Sequence, residues 1–244
     1  MTLQVALVDA VLEIRLTEPD RRNPLGFDTL AALAGAVRGA EAEGARAILL
    51  LSSGPVFSAG ADLRQLTGTV ADIAIDDAIA AATGALRASP LPVVAAVQGP
   101  CLGGAVDLVV STDVVISANE ARFEVPAVRL GILYSPAALE VMRGRVSSGL
   151  LRTLMLGVSV SAADALAGGL VARVVDADEV ESVARAVASR AAAGVPGAVG
   201  ATKRLLGHLD RGGVADEHWE AERRSLLDSP ARLDAIRRRG TDQR

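Results

Sequence analysis

An α/β fold with largely parallel strand pairing is predicted by three features of this 244-residue sequence. Short apolar runs recur, as in "ARAILLLSS", "LPVVAAV" and "DVVISA", and each has the character of a buried strand. Between them lie stretches whose apolar residues fall at helical spacing. The resulting order, strand then helix then strand, is that of parallel sheets whose crossovers are helices.

At the start of the chain, "LQVALVDAVLEIRLTEP" alternates around the turn residue Asp9, which predicts two antiparallel strands. After Pro24, the residues Phe27, Leu30, Leu33, Ala34 and Val37 recur at helical spacing and stop before Gly44. A strand is expected at 46–51, a helix at 70–87 and a short strand at 92–97. Residues 101–110 read as a helix entered through glycines, and "DVVISA" as another strand. From Ala137 onward the segments "ALEVMRGRV", "SGLLRTLML", "SAADALAGG", "DEVESVARAVASRAAA", "AVGATKRLL", "VADEHWEAERRSLL" and "PARLDAIRRR" suit short helices, with Ser161 and Asp176 as N-caps. Only "GLVARVV" reads as a strand there. Residues 1–190 are therefore expected to form the core and 191–244 a helical region used in subunit packing.

Composition narrows the function. Hydrophobic residues make up 50%, charged residues 22%, and the net charge is −4. With no basic block and only 2% aromatic residues, nucleic acid is excluded as a partner. The single Cys101 forms no intramolecular disulfide and suits a reducing cytoplasm. The start of the chain shows no signal peptide. The most apolar stretch is interrupted by Gln98, Pro100, Asp107 and Asp113, so no membrane span is expected. No Cys/His cluster has metal-ligand spacing, and His208 and His218 lie far from the other motifs.

Two stretches can do chemistry. "PVFSAGADL" carries small residues around Gly60, which allows positive φ and leaves backbone N–H groups uncovered. "QGPCLGGAVDL" presents Gly103 and Gly104 at a helix start, where N–H groups are unpaired and the dipole favours negative charge. Each comes after a buried strand, so the two could point two amides at one oxygen as an oxyanion hole. Taken singly, such turns are also common for close packing.

With "EPDRRNPL", "FSAGADL", "VQGPCLGGAVDLVVSTDVVIS", "ARFEVPAVRLGI", "SAADALAGGLVARVV" and "ATKRLL" in this order, nearly the whole chain resembles the enoyl-CoA hydratase/isomerase, or crotonase, superfamily. The resemblance implies an α/β crotonase (ClpP-like) spiral of ββα units with a C-terminal helical trimerisation region, assembled as a homotrimer or a homohexamer. It implies an acyl-CoA thioester as ligand, with coenzyme A part of the substrate and no separate cofactor. The thioester oxygen would sit between the N–H groups of Ala61 and Gly104, whose fixed donors favour an enolate over the neutral carbonyl. By the same resemblance Arg21, Arg22, Asn23, Ala59 and the Ala61, Asp62, Leu63 turn belong to the CoA-binding surface. Arg64 and Lys203, the one lysine of the chain, are phosphate candidates by charge.

The sequence departs from the hydratase pattern at both acids. The first family glutamate is Asp107 here, one helical turn beyond Gly104 and one methylene shorter, so its reach differs by roughly an ångström. The second, expected after Pro126, is Ala127, and a methyl group handles no proton. Glu124 falls on the opposite face if its segment is extended. Tyr134, the only tyrosine, stands where decarboxylases of the superfamily acting on methylmalonyl-CoA carry one, although those enzymes have a histidine at the position of Ala61. A hydratase or isomerase, a decarboxylase using Tyr134, and a non-catalytic acyl-CoA-binding protein are all compatible with these residues.

Overall fold

The computed structural model describes residues 2–241. The chain opens with β1 (Leu3–Val8) and β2 (Val11–Leu16), antiparallel and joined by Asp9 and Ala10, both at positive φ (47° and 62°), as a two-residue hairpin turn requires. Then come α1 (Phe27–Gly39), β3 (Ala47–Ser52), α2 (Ile73–Ala88), β4 (Val93–Val97), β5 (Cys101–Leu102), α3 (Gly104–Val110), β6 (Val114–Ala118) and β7 (Arg122–Glu124). A 3₁₀ turn at Pro126–Leu130 leads to α4 (Pro136–Arg145), α5 (Ser148–Met155), β8 (Val160–Ser161), α6 (Ala162–Ala167) and β9 (Arg173–Val175). The rest is α7 (Val180–Ala192), α8 (Pro196–Asp210), α9 (Glu217–Leu227) and α10 (Pro230–Thr241).

The main sheet runs β1-β2-β3-β4-β6-β9, parallel from β2 onward. Every residue of β3 and β4 is buried, which explains their unbroken aliphatic sequences. Helix α7 crosses this sheet with Val180, Ala184, Ala188 and Ala192 turned inward, small residues that let helix and sheet approach closely. It is clamped to β2 by Arg185 on Glu13 (2.7 Å) and Arg15 on Glu181 (2.7 Å). The expected division at 190/191 therefore falls in the last turn of a core helix.

A second, shallow sheet is built from short extended segments that lie beyond the ends of the main-sheet strands. β5 pairs with β7 and β7 with β8, and single bridges join Ser58 to Cys101 and Leu25 to Ala61. Each turn of the chain thus lays down a long strand, a short extended segment and a helix, which is the expected ββα spiral of the crotonase fold.

Two local expectations are corrected. Cys101 and Leu102 belong to a strand, because they extend the second sheet, and the helix starts only at Gly104. Asp176 is no N-cap: α7 begins four residues later, and the Asp176 carboxylate accepts from Asn119 instead (2.9 Å). The short strand β7 and the 3₁₀ turn after it lacked a periodic signal. Ser161 does cap its helix, accepting from the Asp164 N–H at 3.1 Å.

Candidate active site

The two small-residue loops meet. Phe57 and Ser58 donate to the Pro100 carbonyl, and Leu102 donates to the Ser58 carbonyl (3.0 Å), so the loops are stitched as neighbouring strands. Gly60 adopts φ +85°, and a methyl group built on it would lie 2.5 Å from the Leu102 oxygen and 3.3 Å from the Gly104 nitrogen. Only glycine permits this approach. The Ala61 and Gly104 N–H groups have no acceptor among the described residues, and Gly104 opens α3, where the dipole adds positive potential.

A cleft of about 720 Å³ opens over these amides. Ala59, Ala61, Leu63, Gly104, Asp107 and Tyr134 all line it, so the structure brings six of the sequence-predicted residues together. Asp107 lies one turn into α3 and is 8% exposed. Burial pushes its carboxyl up to about 7, against the lowering effect of the Tyr134 hydroxyl, which donates to Asp107 Oδ2 at 2.6 Å. Tyr134 is itself pushed well above the usual phenol range, chiefly by burial and then by Asp107. Ala127 lines the same cleft, whereas Glu124 points elsewhere and is paired to Arg129 (2.6 Å). Among the described residues no group of three potential metal ligands converges.

The other predicted residues are placed differently. At the rim, Asp62 is held by Arg21 (2.7 Å) and Arg64 (3.1 Å), which leaves both guanidinium groups partly facing solvent. Arg22 contributes its carbonyl, which accepts from Ala59 N–H at 2.8 Å. Asn23 is 1% exposed, and its side chain is consumed internally: Nδ2 donates to the Ser53 and Val56 carbonyls, and Oδ1 accepts from Glu18 N–H, each at 2.9 Å.

Lys203 stands outside the cleft lining. Its ammonium group donates to the carbonyls of Leu86 (3.0 Å) and Leu91 (2.8 Å) and to Asp113 (2.8 Å), so its three N–H groups are matched by three internal acceptors. Charge alone suggested a phosphate partner, but this geometry describes a tie between α8 and the end of α2. Lys203→Met is accordingly expected to lower stability by about 3 kcal/mol, read from the urea midpoint at constant m. A variant as stable as the parent but weaker for CoA thioesters would return the lysine to the phosphate role.

Residues 7–236 match the enoyl-CoA hydratase/isomerase family. The chain belongs to that family. It is 30% identical to the probable enoyl-CoA hydratase EchA6 of Mycobacterium tuberculosis over 220 residues, covering 90% of this chain and 86% of that protein. It is 31% identical over 188 residues to the rat mitochondrial enoyl-CoA hydratase domain-containing protein 3, covering 75% of this chain but only 63% of that longer protein. Among solved structures, an enoyl-CoA hydratase/carnithine racemase of Magnetospirillum magneticum superposes with TM-score 0.90 at 29% identity, over 98% of this chain and 93% of that one. A methylmalonyl-CoA decarboxylase shares the fold at TM-score 0.81 and 24% identity, over 95% and 92%. No described helix is long and apolar enough to cross a membrane.

Among the polar residues of this hydratase/isomerase-family cleft that escaped the sequence reading are Asp76, Arg87 and Ser111. Asp76, Ala80, Thr83 and Arg87 recur at i, i+4, i+7 and i+11 on α2, so one helix face supplies them. Burial raises the Asp76 carboxyl above its ordinary value, with Asp77 and Asp72 adding to it. The periodic polar face was the available signal, diluted by the surrounding alanines.

Proposed function

We propose that this protein binds an acyl-CoA thioester, stabilises its enolate with the Ala61 and Gly104 amides, and moves one proton with Asp107. The reaction class it supports best is migration of the double bond of a 3-enoyl thioester to the 2-position. The observation that carries this reading is one buried carboxyl near neutrality beside two acceptor-free amides, with Ala127 where a second acid would stand. Asp107 as carboxylate takes a proton from C2, and the electron pair moves through the carbonyl onto oxygen between the two donors. The protonated Asp107 then returns the proton to C4 as charge flows back, leaving the 2-enoyl product. One acid serves both ends; addition of water needs another to hold it.

Decarboxylation is supported less well, because the Tyr134 proton is already given to Asp107 rather than offered to a substrate carboxylate. The shared fold with the decarboxylase does not alter that. The buried Cys101 suits a reducing compartment, the cytoplasm in this reading. The exposed apolar residues Leu206, Leu209, Leu227, Leu233 and Ile236 of α8 to α10 suit the 191–244 region as the surface of a trimer or hexamer. Sedimentation at three or six times 24.9 kDa is the expected result.

The deciding experiment is mass spectrometry of saturated, 2-enoyl, 3-enoyl and malonyl-type CoA thioesters incubated with the protein in heavy water. Conversion of 3-enoyl to 2-enoyl thioester is expected, with little solvent deuterium at C4 because the proton that the buried Asp107 takes from C2 is the one it returns. Loss of CO2 would make the protein a decarboxylase, and tight binding with every thioester returned unchanged would make it a binding protein.

A pH profile tests the proton carrier. Turnover requires the carboxylate, so activity should rise through about pH 7. Tyr134 stabilises the charged form, so Tyr134→Phe should move this limb upward by about one to two pH units. An unmoved limb would place the essential base elsewhere.

A further inference from the structure

Helix α3 measures distance along the cleft. Gly104 at its start presents an amide, Asp107 stands one turn on, and Ser111 sits at the end of the second turn, about 10 Å from the first amide. Gly104, Asp107 and Ser111 all line the cleft. Beside Ser111, Arg87 from the last turn of α2 donates to Ser111 Oγ at 2.8 Å. The cleft thus carries two donors for an oxyanion at one end of α3 and a guanidinium at the other.

That guanidinium has no carboxylate within salt-bridge distance among the described residues. Burial disfavours its charge most; Asp107 favours it from a distance, and Arg211 and Arg145 oppose it again. The nearby acids are otherwise engaged. Asp113 holds Lys203 (2.8 Å), Asp210 holds Arg145 (3.3 Å), and Asp107 accepts from Tyr134. Asp76 lies three turns back along α2. The C-terminal ends of α2 and α3 supply only partial negative charge. A half-buried arginine left between two other arginines in a ligand cleft is arranged for an anion that arrives with the ligand.

We infer that Arg87, with Ser111, binds a terminal carboxylate on the acyl group, so that the substrates are CoA thioesters of short dicarboxylic acids. This rests on the acyl-CoA reading and names its substrate class. Two hydrogen bonds of about 2.9 Å leave roughly 4 Å of the 10 Å span when collinear and more when angled, which bonds of about 1.5 Å cover with an acyl chain of roughly four to six carbons. The terminal carboxylate lies beyond Asp107, away from the reacting carbons, so the proton transfer is undisturbed.

The test is calorimetric titration of the wild-type protein with chain-matched pairs: glutaryl-CoA against pentanoyl-CoA, and adipyl-CoA against hexanoyl-CoA. At least tenfold tighter binding of the carboxylated member is expected. Arg87→Met, which keeps an unbranched stem but removes the charge, should bring the ratio close to one, while Arg87→Lys should keep part of it. A wild-type ratio near one, or a ratio unchanged in Arg87→Met, overturns the inference while leaving the acyl-CoA reading intact. Failure of all four thioesters to bind sinks both. The wild-type comparison decides even if a variant fails to fold.

Discussion

Asp107→Asn is expected to lose about 10²- to 10⁴-fold in turnover and, above pH 7, to gain stability. Both effects come from one cause. The carboxyl is buried beside the amides of the hole, and burial raises it from 3.8 to about 7. Its folded pKa therefore lies above its unfolded one, so the stability it permits is fully present below about pH 4 and falls as pH rises through 7. The charged form costs about 4 kcal/mol by that shift. Asparagine keeps an acceptor for the Tyr134 hydroxyl and carries no charge. Urea unfolding should show the variant more stable than the parent at pH 8, with the gap shrinking toward pH 4. Retained turnover would remove Asp107 from the reaction, and a variant less stable at pH 8 would mean that its charge is better compensated than the geometry indicates.

Gly60→Ala should damage both fold and hole. The added methyl group would sit 2.5 Å from the Leu102 carbonyl oxygen at φ +85°, so a backbone must move. Strain at such a position costs about 1–3 kcal/mol, and displacing one hole donor costs about 10²- to 10³-fold in turnover. Gly35→Ala is the control. It lies on α1 with nothing within 4 Å of the new methyl group, and should be neutral or stabilising by up to about 1 kcal/mol. Equal behaviour of the two variants in kinetics and unfolding would refute the close contact between the loops.

The two amide-bearing turns were legible in the sequence because bare amides need small residues, and small residues in two strand-to-helix turns leave a visible pattern. Asp107 was legible for a similar reason, since helix phase carries it one turn from Gly104. The α2 face was harder to read: Asp76 and Arg87 are isolated polar residues in an alanine-rich helix, and nothing local says which side meets the cleft. Lys203 resists a local reading because charge without burial looks like a surface cation. The short strands β5, β7 and β8 carry too few residues for a period to emerge, and long-range pairing alone creates them.

By itself the sequence determined the order of the long strands and helices and the two amide-bearing turns, set by local pattern (apolar period, glycine position and helix phase), and its motifs carried the resemblance to the family. Only the tertiary structure decided which polar groups are spent and which are left free. It bonded Tyr134 to Asp107, consumed Lys203 and Asn23 internally, and left Arg87 in the cleft beside Ser111 with no carboxylate among the described residues. The reason is that burial and partnership depend on residues far apart in the chain, and those two quantities fix the charge and reactivity of a side chain.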